Sequence, residues 1–125
     1  MVDDDQEILF IAKMALESLG GYSVCTCSSG SEALDQAARF SPDLLLLDVM
    51  MPGMTGPETL AALRGIPALS ETPAIYLTGL SAKDGGAPTR SLGVAGIINK
   101  PFDPLTLADR IREKLGNGIT AMAGE

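Results

Sequence analysis

Apolar positions recur along the chain with two alternating periods, and the alternation predicts the elements. Ile8, Ile11, Ala12, Ala15, Leu16 and Leu19 form one stripe at helical spacing, predicting a helix from about Gln6 to Leu19. Asp5 can cap its start, and Gly20-Gly21 stops it. Tyr22 to Cys27 is a short β-rich run. Ser29 and Glu32 then form an S-x-x-E capping box, opening a helix through about Phe40 that Pro42 prevents from continuing. Leu44 to Leu47 is apolar without interruption, as a strand covered on both faces requires. The rhythm repeats in the second half. Thr55 and Glu58 form another capping box, with Pro57 in the first turn of a helix ending near Gly65. Ala74 to Thr78 and Ala95 to Ile98 read as strands. Asp103-Pro104 opens a last helix with the stripe Leu107, Ala108, Ile111 and Leu115, and Arg110, Arg112 and Lys114 near its end suit the helix dipole. Residues 116–125 are aperiodic and Gly-containing, and are expected to form a flexible tail after a domain spanning 1–115.

Strands alternating with amphipathic helices define an α/β fold with an open, mostly parallel sheet. Ligands and chemistry collect at the C-terminal ends of the strands in such sheets, so the residues after each apolar run matter most. The length of 125 residues fits one domain with a core of its own. A formal charge of −7 argues against this domain gripping nucleic acid or anionic lipid. No apolar run approaches the length of a membrane span, and the acidic N-terminus is unlike a signal region. The chain has no His, which removes Ser-His and Cys-His catalysis and most zinc sites. Cys25 and Cys27 are poorly spaced to bond with each other and read as reduced core thiols of a cytoplasmic protein.

At the strand ends stand Asp3, Asp4 and Asp5, then Asp48, Thr78 and Lys100. Carboxylates gathered at one point repel one another unless a cation joins them. Hard oxygen ligands without His or thiolate suit Mg²⁺, which takes a few carboxylates plus waters and phosphate oxygens. A Lys and a hydroxyl beside a metal-bound Asp can neutralise and hydrogen-bond a transferring phosphoryl group. These residue types point to phosphoryl transfer with an Asp nucleophile.

The stretches V-D-D-D at 2–5, L-L-L-L-D-V-M-M-P-G-M-T-G at 44–56, Y-L-T-G at 76–79 and I-I-N-K-P-F at 97–102 resemble, in order and spacing, the receiver domain of two-component response regulators. The resemblance covers residues 2 to about 115. It implies a doubly wound, flavodoxin-like, five-stranded parallel sheet of order 2-1-3-4-5. It also implies that Asp48 accepts a phosphoryl group from a phosphohistidine on a histidine kinase or histidine phosphotransfer protein. Mg²⁺ would be held directly by Asp4, Asp48 and the Met50 carbonyl, and by Asp3 through water. Thr78 would hydrogen-bond the phosphoryl group, Lys100 would pair with it, and the Lys100-Pro101 bond would be cis.

Several positions depart from that pattern. Only Met1 and Val2 precede the acidic pair, so the first strand is expected to be truncated, by a cut or, as favoured here, by a late start within it, unless another segment fills the gap. Its two neighbours should then be poorly paired, with lower stability or pairing to another chain, including a possible homodimer, as the consequence. Ile97 stands where the family often has an aromatic ring, which puts ring-coupled switching by Thr78 in doubt. Gly85, Gly86 and Pro88 disfavour a regular helix in Ser81–Leu92. Met50 and Leu80 are apolar where the family's residues influence the hydrolytic water, so a long-lived phosphoryl group is expected. The alternative function is a receiver-like interaction module that works without phosphorylation. A haloacid-dehalogenase-type phosphatase is disfavoured because Val49-Met50 follows Asp48 instead of completing D-x-D. A flavin site is disfavoured because no phosphate loop follows the first strand.

Overall fold

The computed structural model describes residues 1–79 and 94–123. Its elements are α1 (Gln6–Gly20), α2 (Gly30–Phe40), β1 (Leu45–Asp48), α3 (Gly56–Arg64), a 3-10 turn at Pro67–Leu69, β2 (Ala74–Thr78), β3 (Val94–Asn99) and α4 (Leu107–Ala123). The segment Ser81–Leu92 and Leu80 lie outside the described residues.

The three strands run parallel in the order β1-β2-β3. Leu45 pairs with Ala74 and Leu47 with Tyr76, while Tyr76 pairs with Ile97 and Thr78 with Asn99. On the other side of β1, Val2 makes parallel bridges to both Leu47 and Cys27. The order 2-1-3-4-5 is therefore present, with its first two members reduced to a bridge each. Tyr22–Cys27 does not form the expected strand. Among the described residues only Met1 to Asp3 pair beside it, and on its other edge Val24 is served by α1 side chains, its N–H donating to Glu17 (3.2 Å) and its C=O accepting from Lys13 Nζ (3.0 Å).

Strand alternation divides the core into two. Leu45, Leu47 and Tyr76 face α2 and α3, packing with Val2, Ala33, Leu60 and Leu63. Leu46, Ile75, Leu77 and Ile98 face α1 and α4, packing with Ala12, Leu16, Leu107 and Ile111. All four residues of β1 are buried, and each fully buried Leu contributes roughly 2 kcal/mol of transfer free energy. This is the doubly wound, flavodoxin-like arrangement that the resemblance implied, built on the parallel α/β sheet that the apolar runs called for.

Most helix signals act as read, with four corrections. Asp5 caps α1 through the amides of Glu7 (3.0 Å) and Ile8 (3.3 Å), and Gly21 ends it at φ 71°. The buried α1 stripe, however, is Leu9, Ala12, Ala15 and Leu16, while Ile11 and Leu19 are exposed. Ala12 and Leu16 pack with Leu107 and Ile111 of α4, and Leu9 takes an inward place in the same stripe. Ser29 receives the Glu32 amide, but the Glu32 carboxylate bonds Ser28 N–H (2.6 Å) and not its own cap residue. The last helix begins at Leu107, because Asp103 is used in a turn, accepting from Leu105 N–H (2.9 Å) and, through its carbonyl, from Thr106 N–H (3.1 Å).

That helix continues to Ala123, so Arg110, Arg112 and Lys114 lie within it instead of at its end. Arg112 serves a different terminus. It donates to the Gly20 carbonyl (3.2 Å) at the C-terminal end of α1 and sits 6.0 Å from the Tyr22 ring centroid.

Candidate functional site

β1 ends on Asp48, β2 on Thr78, and β3 is followed by Lys100, so parallel strands deliver three predicted residues to one edge. Asp3 and Asp4 arrive from the other side, directly after the Val2 bridge. The backbone positions them: Val2 N–H donates to Leu46 C=O (2.8 Å), Asp48 N–H to Val2 C=O (2.8 Å), and Asp3 N–H to Cys27 C=O (3.1 Å). Carboxylate oxygens of Asp3, Asp4 and Asp48 all lie within 4.8 Å of one another. Asp3, Asp48 and Thr78 are buried, whereas Asp4 is exposed.

Lys100 offsets part of the charge of the cluster as it stands. Its Nζ lies 2.7 Å from Asp3 Oδ2 and 3.2 Å from Asp48 Oδ1. Its own N–H donates to Thr78 C=O (2.8 Å), bringing the loop after β3 over the end of β2, and its bond to Pro101 is cis. Burial acts to lower the Lys100 pKa, but the hydrogen bonds and charges of Asp3 and Asp48 outweigh it and hold the pKa above its ordinary value. Asp48 shifts oppositely to most carboxylates. Burial first, and then the charge of Asp3, push it up to about 6 against the pull of Lys100.

The donor set fits Mg²⁺. It is all hard oxygen, and Asp3 Oδ2 is buried with no hydrogen bond of good geometry, its contact being the Lys100 ion pair. Asp3 Oδ1 is engaged by Asp5 N–H at 2.9 Å. Met50 follows β1 with its side chain 62% exposed, so any contribution it makes to a cation is through its carbonyl.

The loop after β1 is packed against the site. Gly56 opens α3 and donates to Val49 C=O (2.9 Å), and a Cβ there would overlap the Asp48 carbonyl oxygen. Thr55 and Glu58 complete a reciprocal capping box, with Thr55 N–H donating to Glu58 at 2.9 Å. Gly53 turns the intervening loop at φ 81°. Beneath Thr78 on the same face of β2, Tyr76 is buried beside Ile97, so an aromatic ring does stand near the place where the fifth strand lacks one. Spacing alone gave no signal for that ring, because it comes from the neighbouring strand. The free thiols Cys25 and Cys27 lie on the bridge side, with Cys27 buried and its thiol pushed up to about 11, chiefly by that burial.

An open parallel α/β domain with an acidic cluster and a lysine at its strand ends is one class of protein, and comparison with known proteins names it. Residues 1–112 match the family described as the response regulator receiver domain, and the chain belongs to that family. It is 40% identical over 112 residues to the transcriptional regulatory protein CpxR of Escherichia coli, covering 90% of this chain and 46% of CpxR. It is 37% identical over 115 residues to the transcriptional regulatory protein YkoG of Bacillus subtilis, covering 92% of this chain and 49% of YkoG. The chain thus spans about half the length of these curated relatives. Among solved structures it is similar to the chemotaxis protein CheY4 of Vibrio cholerae, with a TM-score of 0.83 and 33% identity over 90% of this chain and 92% of that one. Among the described residues, no helix is long and apolar enough to cross a membrane.

Proposed function

We propose that this chain is a phosphoacceptor switch of a two-component system, acting in the cytoplasm on a histidine kinase or histidine phosphotransfer protein. An Asp48 carboxylate oxygen attacks the phosphorus of a phosphohistidine on the partner. The P–N bond breaks, its electron pair leaves with the imidazole, which takes up a proton, and Asp48 becomes an aspartyl phosphate. Water later hydrolyses that acyl phosphate. Lys100 turns from the free carboxylates to an oxygen of the bound phosphoryl group, and Thr78 donates its hydroxyl to another. Asp4, Asp48 and the Met50 carbonyl would hold Mg²⁺ directly, with Asp3 acting through water. Mg²⁺, when bound, supplies charge neutralisation on the phosphoryl oxygens during transfer.

The observation that carries this reading is Asp48 itself, buried at the end of β1 with Lys100 Nζ 3.2 Å away. A carboxyl pushed up to about 6 is still predominantly ionised at pH 7, so it is a nucleophile as well as a ligand. Incubation with acetyl phosphate and Mg²⁺ should add the mass of one phosphoryl group to the protein and none to Asp48→Asn. No gain in the parent protein would favour the reading as an interaction module independent of phosphorylation. A slow-decaying phosphoryl group is expected, because the apolar, exposed Met50 side chain offers the attacking water no hydrogen bond. Introducing Met50→Asn should shorten its lifetime.

A further inference from the structure

The outermost run of the sheet carries no charge of its own. Tyr22–Cys27 reads Y-S-V-C-T-C, without a charged residue, a Pro or a Gly. Uncharged, β-rich runs of this length pair readily with other chains when they lie on an edge. We propose that Lys13 and Glu17 of α1 form a latch over this edge, and that releasing the latch lets a second copy of the chain pair with it strand to strand. The proposal does not depend on the chemistry of Asp48.

Backbone direction locates the edge. Cys27 bridges to Val2, and its C=O accepts from Asp3 N–H (3.1 Å), so Cys27 faces into the sheet. Backbone groups alternate sides along an extended run, which turns Val24 and Thr26 outward. Both outward groups of Val24 are occupied by α1: its N–H donates to Glu17 Oε2 (3.2 Å), and its C=O accepts from Lys13 Nζ (3.0 Å). These are the two bonds that an added strand would make there, an acceptor for the N–H and a donor for the C=O. Lys13 and Glu17 stand one helical turn apart and pair with each other at 3.8 Å, so each holds the other over Val24. Tyr22 N–H is taken by Leu16 C=O (3.1 Å) at the end of the same helix. Among the described residues the Thr26 N–H and C=O make no hydrogen bond, so the edge beyond the latch is open.

A second copy is the occupant that this edge fits. Two copies related by a two-fold axis present the same edge to itself, antiparallel. Val24 then stands opposite Val24, exchanging both bonds, and Tyr22 stands opposite Thr26. The formal charge of −7 opposes self-association in general, but this run carries none of it and meets its own copy without repulsion.

The double variant Lys13→Ala/Glu17→Ala removes both contacts. Its two side chains are 45% and 40% exposed, so the fold should survive by circular dichroism. In dilute protein the Val24 amide should exchange about tenfold faster than in the parent, with Leu77 changed much less. On concentrating the variant, sedimentation velocity should show self-association beyond that of the parent. Ser23 is exposed, and adding Ser23→Lys to the double variant sets a charge in the run and should return association to the parent level. Four results would each overturn the proposal: exchange at Val24 equal to the parent's, equal acceleration at Leu77, no added association at any concentration, or association that Ser23→Lys fails to reverse.

Discussion

The two sides of β1 are built to different standards. Toward β2, each of its four residues has a registered partner, and β2 continues the ladder into β3. Toward the N-terminus, one residue, Val2, makes one bridge in each direction. The site draws on both sides: Asp48, Thr78 and Lys100 come from the laddered half, Asp3 and Asp4 from the bridged half. Where backbone pairing thins, side-chain electrostatics takes over. The contact from Lys100 Nζ to Asp3 at 2.7 Å crosses β1 and β2 and ties the halves together.

Removing that tie should have the largest effect. Lys100→Ala leaves Asp3 and Asp48 buried without a cation and should cost about 3 kcal/mol at pH 7 in urea unfolding. The loss should shrink at pH 5, below the value of about 6 to which Asp48 is pushed, and on addition of Mg²⁺. A loss under about 1 kcal/mol, on the scale of an exposed ion pair, would show that the halves do not need the tie.

Asp48 should give the next largest effect, with a sign opposite to that of most acidic residues. Its pKa rises from 3.8 to about 6 on folding, so between those values the native state holds the proton that the unfolded chain has released. Stability contributed by this group is therefore full below pH 3.8 and is lost as pH rises through 6. Asp48→Asn should be more stable than the parent by about 2 kcal/mol at pH 7 and nearly equal to it at pH 4. A flat difference between those pH values would contradict the burial and Asp3 repulsion assigned to it.

Two smaller changes separate the halves directly. Val2→Ala should cost about 1.5 kcal/mol and speed hydrogen exchange at Asp3 and Cys27 while sparing Leu77. Equal acceleration in β2 would mean that the sheet opens as one unit. In the laddered half, the Tyr76 hydroxyl is buried without a hydrogen-bond partner among the described residues, so Tyr76→Phe should raise stability by about 1 kcal/mol in thermal melts. Destabilisation instead would mean that the hydroxyl is satisfied in solution.

The legibility of the sequence follows the same divide. Ala74–Thr78 is a strand with the bounds that its apolar run suggests, because both of its neighbours are present. Asp48, Thr78 and Lys100 were readable because the ends of parallel strands are fixed by the runs that precede them. Tyr22–Cys27 has equally β-rich residues and yet forms only a bridge, since strand formation depends on partners that local composition does not encode. The start of α4 is not legible locally, because Asp103 can serve a turn as readily as a cap. The role of Arg112 at the end of α1 spans 92 residues of sequence separation, which no local pattern reports.

Gly53 and Gly56 flank the same short loop and differ in what they can become. At Gly53 the constraint is a dihedral angle, with open space where a side chain would go, so a residue that tolerates the left-handed region, such as Asn, is a passable step. At Gly56 the constraint is volume: any side chain meets the carbonyl of Asp48 and the Cα of Val49. Drift is therefore open at one glycine and closed at the other. A lineage that changes position 56 displaces Asp48, the proposed phosphoacceptor, before it loosens its helix.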